Sequence, residues 1–112
     1  MKKAFSFIVI AACLLLVGCT TSSSVPAAIR QLISQQSKTI DRVDECQYHG
    51  QVVYFFCGRT DIADNCDYLY SSGGVLMAVF GGITGYGDGR CPDFFENATV
   101  IRCIWAQGTY LE

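Results

Sequence analysis

The sequence predicts an α+β fold, with an N-terminal helix packed on a small antiparallel sheet of about four to five strands and disulfides as staples. Three observations predict it. One segment, Val25 to Gln36, carries an apolar stripe at helical spacing. After Thr39 the chain turns to β-branched and aromatic runs broken by glycine-containing turns. Cys46, Cys57, Cys66, Cys91 and Cys103 fall within a domain too small to depend on its core alone.

The helix comes first. Val25, Ala28, Ile29, Leu32 and Ile33 stand at i, i+3, i+4, i+7 and i+8, with Arg30, Gln31, Ser34 and Gln35 off the stripe. Pro26 suits its first turn, with Ser24 or Val25 as the cap. The stripe is narrow, has no aromatic residue and has only Arg30 as a basic companion. That pattern predicts packing on a sheet rather than lying along a membrane.

Two strands, 39–47 and 51–57, flank a turn at Tyr48-His49-Gly50. Val52 to Phe56 is the clearest strand and is expected to be central. His49 is expected to be an exposed polar residue. Residues 58–65 read as a loop, and 66–70 and 75–80 as a second hairpin around Ser71 to Gly74. Residues 81–90 hold Gly81, Gly82, Gly85, Gly87 and Gly89, too many for a regular element, so a structured loop with left-handed positions is expected. Pro92 to Asn97 allows one helical turn, Thr99 to Ala106 is a last strand, and a tail begins at Gly108.

Upstream of the helix, Met1-Lys2-Lys3 precedes an uncharged apolar run from Ala4 to Val17, which ends at Leu16-Val17-Gly18-Cys19. Such a run is of signal-peptide length and short for a bilayer span. The ending resembles the lipobox of bacterial lipoproteins. The resemblance implies a signal peptide over 1–18, cleavage before Cys19, and attachment of diacylglycerol and a further acyl chain such as palmitate to Cys19. Residues 19–25 become the lipidated cysteine and a short tether, and 26–112 a single domain. Thr20 stands where an inner-membrane retention signal has aspartate. The implied address is therefore the cell envelope, most simply the outer membrane, with the domain facing the periplasm or the exterior. The implied membrane partner is reached through the lipid, since two or three acyl chains hold where one is marginal.

Removing Lys2 and Lys3 leaves six basic side chains against ten acidic ones, a net charge of −4. That disfavours nucleic acid. Cys13 leaves with the signal and Cys19 is taken by lipid, so five cysteines remain. No CxxC occurs and His49 is the single histidine, which argues against a zinc knuckle. Two bridges and one odd thiol is the simplest account. The odd thiol is left as buried and inert, paired with another chain, or reactive.

Gly81-Gly82-Ile83-Thr84-Gly85-Tyr86-Gly87-Asp88-Gly89-Arg90-Cys91-Pro92-Asp93-Phe94, together with Cys66-Asp67-Tyr68-Leu69-Tyr70 and the earlier Gly50, Val53 and Tyr54, resembles a small uncharacterised family of secreted bacterial domains. That family lends fold and cysteine logic but no activity. Its members carry Cys-Cys where this chain has Asn65-Cys66, and another cysteine near Ala78. The joint absence of those two implies a Cys66–Cys91 bridge here, with a second bridge drawn from Cys46, Cys57 and Cys103.

The glycine run lacks Gly-Lys-Ser/Thr and contains Asp88, so it is not a phosphate loop, and no cofactor is expected. Asp61, Asp64, Asn65 and Asp67 cluster without EF-hand spacing. Asp88 and Asp93 are the carboxylates that calcium would take first. No nucleophile motif accompanies His49, and no enzyme is expected. The expected function is a lipid-anchored, non-enzymatic binding domain for an envelope protein or component, with Tyr86, Asp88 and Arg90 as the binding loop. The alternatives are an inhibitor of a secreted hydrolase using that loop, or a calcium-binding module.

Overall fold

The computed structural model describes residues 25–111. The lipobox, Cys19 and the tether up to Ser24 lie outside the described residues. The elements are α1 (Ala27–Gln36), β1 (Ile40–Tyr48), β2 (Gln51–Gly58), β3 (Cys66–Ser71), β4 (Leu76–Gly81), α2 (Phe94–Asn97), β5 (Thr99–Ala106) and β6 (Thr109–Tyr110). The strands form one antiparallel sheet in the order β4-β3-β2-β1-β5-β6.

The fold class is α+β but dominated by the sheet. Six strands replace the four to five expected. The added one, β6, is two residues long and follows a tight turn at Gln107-Gly108, where both residues have positive φ. Helix α1 starts two residues later than the apolar stripe. Pro26 itself is the cap, and its carbonyl accepts the amides of Ile29 and Arg30. Proline fits there because it has no N–H to leave unpaired inside the helix.

The β1–β2 hairpin turns on His49 and Gly50, with φ of 50° and 79°, between the paired Tyr48 and Gln51. Left-handed conformation at both central residues gives the turn whose twist matches that of the strands. β2 and β1 are the central strands, as the apolar run over 52–56 predicts.

The sheet buries both faces. Ile29 and Ile33 of α1 pack against Ile40, Val43, Tyr54, Phe56, Tyr70, Ile104 and Trp105. Full burial of each such aliphatic or aromatic side chain contributes about 1.5–3 kcal/mol. On the other face Cys46, Tyr48, Val53, Phe55, Leu69 and Ala78 pack against Phe94 of α2. Phe94 stacks at 5.4 Å on Phe55 and 5.7 Å on Phe80, and Phe95 meets Phe80 edge-on at 4.9 Å. The segment after β4 therefore covers the face that α1 leaves open.

The two ends of the sheet differ. At one end lie the α1–β1 junction, the β2–β3 loop and Gly81. At the other lie the β1–β2 turn and the β3–β4 turn, where a Cβ on Gly74 would sit 3.0 Å from the Ala28 Cβ. The N-terminus of α1 is thus at the β3–β4 turn end, and its C-terminus at the Gly81 end.

Candidate functional site

The glycine run is built against the free edge of β4. After Gly81 the chain makes a small protruding loop and then returns along the strand it has just left. Gly87 N–H donates to the Gly81 carbonyl at 3.0 Å and Asp88 N–H to the Val79 carbonyl at 3.0 Å. Gly87 is required at this point. Its φ is 70°, and a Cβ would lie 2.1 Å from the Val79 oxygen. The return also covers an edge that would otherwise offer unpaired backbone groups to another chain.

Two further contacts set the shape of the loop. Gly85 N–H donates to the Gly82 carbonyl at 3.1 Å, and Tyr86 N–H to the Thr84 hydroxyl at 3.1 Å. Arg90 closes the base. Its Nε and Nη2 donate to Asp88 Oδ2 at 2.9 and 2.7 Å, its N–H donates to Asp88 Oδ1 at 3.0 Å, and Nη1 reaches the Leu76 carbonyl at 3.4 Å. The Arg90 side chain, by hydrogen bonding foremost, holds the Asp88 carboxyl down at about 2. Half-exposed ion pairs of this kind contribute little stability by themselves. The geometric consequence matters more, because Asp88 and Arg90 are turned onto the loop and β4.

That leaves the apex. Ile83 is 80% exposed and Tyr86 is 86% exposed. Two large apolar side chains are held in water on a loop with its own internal hydrogen bonds. Of the three predicted binding residues, Tyr86 projects into solvent, whereas Asp88 and Arg90 are engaged with each other and with β4. Ile83 was not singled out from sequence. The signal was an isoleucine inside a glycine run that offers it no core.

Past Arg90, Cys91 takes a φ of 50° and the chain drops onto the second core. Asp93 there joins α2 to the tip of the first hairpin. Its Oδ1 accepts the Tyr48 phenol, and its Oδ2 accepts Asn97 Nδ2 at 2.8 Å and lies 2.8 Å from His49 Nε2. The Tyr48 hydrogen bond first, then Asn97, and more weakly His49, hold the Asp93 carboxyl at about 2. The same carboxylate raises the Tyr48 phenol above its ordinary value, with burial adding to the rise. His49 is exposed, as expected, but it is paired rather than idle.

The calcium carboxylates are not brought together as a cage. Asp88 is held by Arg90 beside β4, and both Asp93 oxygens serve Tyr48, Asn97 and His49. Asp61 is forked by Arg59 at 3.0 and 2.6 Å, while Asp67 accepts the Gly58 amide at 2.8 Å. Among the described residues no group of three or more His, Cys, Asp or Glu is arranged to hold a metal ion.

Nor are Cys66 and Cys91 brought together. Cys66 pairs with Gly81 at one end of β4, on the side of Tyr68 and Tyr70. Cys91 packs on the opposite face, its Sγ 3.9 Å from the Met77 carbonyl. Met77 is four residues from Gly81, roughly 13 Å along a strand, far beyond the Cα separation a disulfide spans. Cys46, Cys57 and Cys103 share a face but stand apart. Cys57 pairs with Arg42 and Cys46 with Val53, four residues further along β2, whereas Cys103 pairs with Asp44 on the other side of β1. All five are free. Burial first, then the Asp44 carboxylate, pushes the Cys46 thiol up to about 11, so it stays protonated and inert.

Among the described residues no helix is long and apolar enough to cross a membrane. Residues 30–107 match the model of a family described as a domain of unknown function, DUF6970. No curated protein and no solved structure matches the chain.

Proposed function

The chain belongs to the DUF6970 family of domains of unknown function, and from that premise we propose that it is a lipid-anchored envelope domain that binds another envelope protein through the apex of its glycine loop. The observation that carries this reading is the exposure of Ile83 and Tyr86 on a loop already closed by its own hydrogen bonds. A partner that covers them gains apolar burial of about 25 cal/mol per Å². Because the loop is pre-organised, little of that gain is lost to ordering it.

The anchor in this proposal is Cys19, on the strength of Leu16-Val17-Gly18-Cys19. The role in this proposal is binding, and Asp93, His49 and Tyr48 serve in it as a link between α2 and the hairpin. A secreted hydrolase is one class of partner that a projecting apolar wedge would fit. The soluble mature domain, used as bait in envelope extract, tests the proposal. It is expected to retain a discrete protein that the doubly substituted Ile83→Ser, Tyr86→Ser domain releases. Equal retention by both would contradict it. Inhibition of a hydrolase that disappears with the same substitutions would identify the partner class.

A further inference from the structure

We propose that the β3–β4 turn, with Val75 at its tip, is the surface by which this domain rests on the lipid bilayer, so that the glycine loop faces away from the membrane. The inference rests on the lipid-anchor reading and goes beyond it by assigning an orientation. It starts from the length of chain outside the described residues. From Cys19 to Val25 there are six residue steps, which span at most roughly 20 Å when fully extended. Wherever Val25 lies, the bilayer is within that reach.

Val25 stands just before Pro26, the cap of α1, and Ala28 in the first turn lies against Gly74 of the β3–β4 turn. Val75 follows Gly74 and is 65% exposed. The turn and the start of the helix contribute no charge of their own, and the ion pair that reaches the Leu76 carbonyl, Arg90 with Asp88, sums to zero. No charged residue occurs over 71–76 or over 25–29. In a mature chain of net charge −4, an anionic lipid surface repels the acidic parts and admits the neutral one. An exposed valine beside such a surface gains by entering the interface.

The opposite end of the sheet carries Lys38, Asp41, Arg59 and Asp61 around a groove of about 630 Å³. It also carries the apex, because the loop leaves β4 at Gly81 whereas the β3–β4 turn enters it at Leu76. Six strand residues separate the two ends, roughly 20 Å. Asp93 lies at the same end of the sheet as the β3–β4 turn, beside the first hairpin, where Tyr48, Asn97 and His49 occupy its carboxylate.

The test uses the full lipidated chain, purified from membranes and carried on nanodiscs of phosphatidylethanolamine and phosphatidylglycerol that contain a headgroup-labelled paramagnetic lipid. Methyl resonances of Val75 and Ile83 are followed in the same sample. The Val75 signal is expected to be attenuated severalfold more than the Ile83 signal. Equal attenuation, or stronger attenuation at Ile83, with the protein bound to the disc, would overturn the orientation alone. A chain that does not stay on the disc would overturn the anchor and the orientation together.

Discussion

Asp93 accepts the phenol of Tyr48, and that one contact ties the segment after the glycine loop to the tip of the first hairpin. The two residues are 45 positions apart. Phe94, next in sequence, is then fixed over Phe55 and Phe80. The loop apex therefore stands on a base secured at both sides, by the return along β4 before it and by Asp93 after it.

The Asp93 contact predicts an acid limb in the stability curve. A carboxyl with a native value of about 2 and an unfolded value near 3.8 stabilises the fold above the unfolded value. That contribution falls progressively as pH drops from about 4 to about 2. Asp88 adds to the same window, since it too is held at about 2. Urea midpoints measured across this range should drop in the wild type, and less steeply in Asp93→Asn. An identical slope in both would show that the carboxylate is not engaged.

Gly87→Ala should be far more damaging than Gly89→Ala. Both positions have left-handed φ, 70° and 82°, but only Gly87 has an oxygen 2.1 Å from the added Cβ, whereas Gly89 faces open space. The left-handed strain alone costs on the order of 1 kcal/mol. Gly87→Ala should cost about 2–4 kcal/mol or detach the return strand. Denaturant unfolding checks the difference, and hydrogen exchange at the Asp88 amide reports detachment.

Ile33→Ala should lower stability by about 2–5 kcal/mol. Ile33 is 2% exposed and packs α1 on the sheet. Leu32→Ala, at the margin of that cluster, should cost less. Chemical denaturation of the two variants measures the contrast.

Peptide mapping without reductant should recover Cys66 and Cys91 unlinked to each other. They lie on opposite faces of the sheet and at opposite ends of β4. A Cys66–Cys91 peptide would contradict the placement of the loop return.

Much of the fold was legible because its signals are local. The stripe over 25–33, the aromatic run over 52–56 and the turn at His49-Gly50 each determine their own conformation. β6 was missed because two residues carry no period, and only the Gln107-Gly108 turn marks it. The separation of Cys66 from Cys91 was not legible, for a physical reason. Which face Cys66 takes follows from strand parity in β3, but Cys91 lies past a loop whose path no local period fixes. The path after Gly81 then carries Cys91 to the side away from Cys66. At the candidate site Tyr86 was readable as a residue on display. The use of Asp88 and Arg90 to brace the loop was not, because it depends on the loop folding back on β4.

The central claim is that the glycine-loop apex is the binding surface, and in-cell photo-crosslinking tests it most directly. The full chain would carry p-benzoylphenylalanine in place of Tyr86, or in place of the exposed Gln51 at the other end of the sheet. A discrete adduct with one envelope protein from position 86, and none from position 51, is the predicted result. Adducts from position 51 with none from position 86 would contradict it.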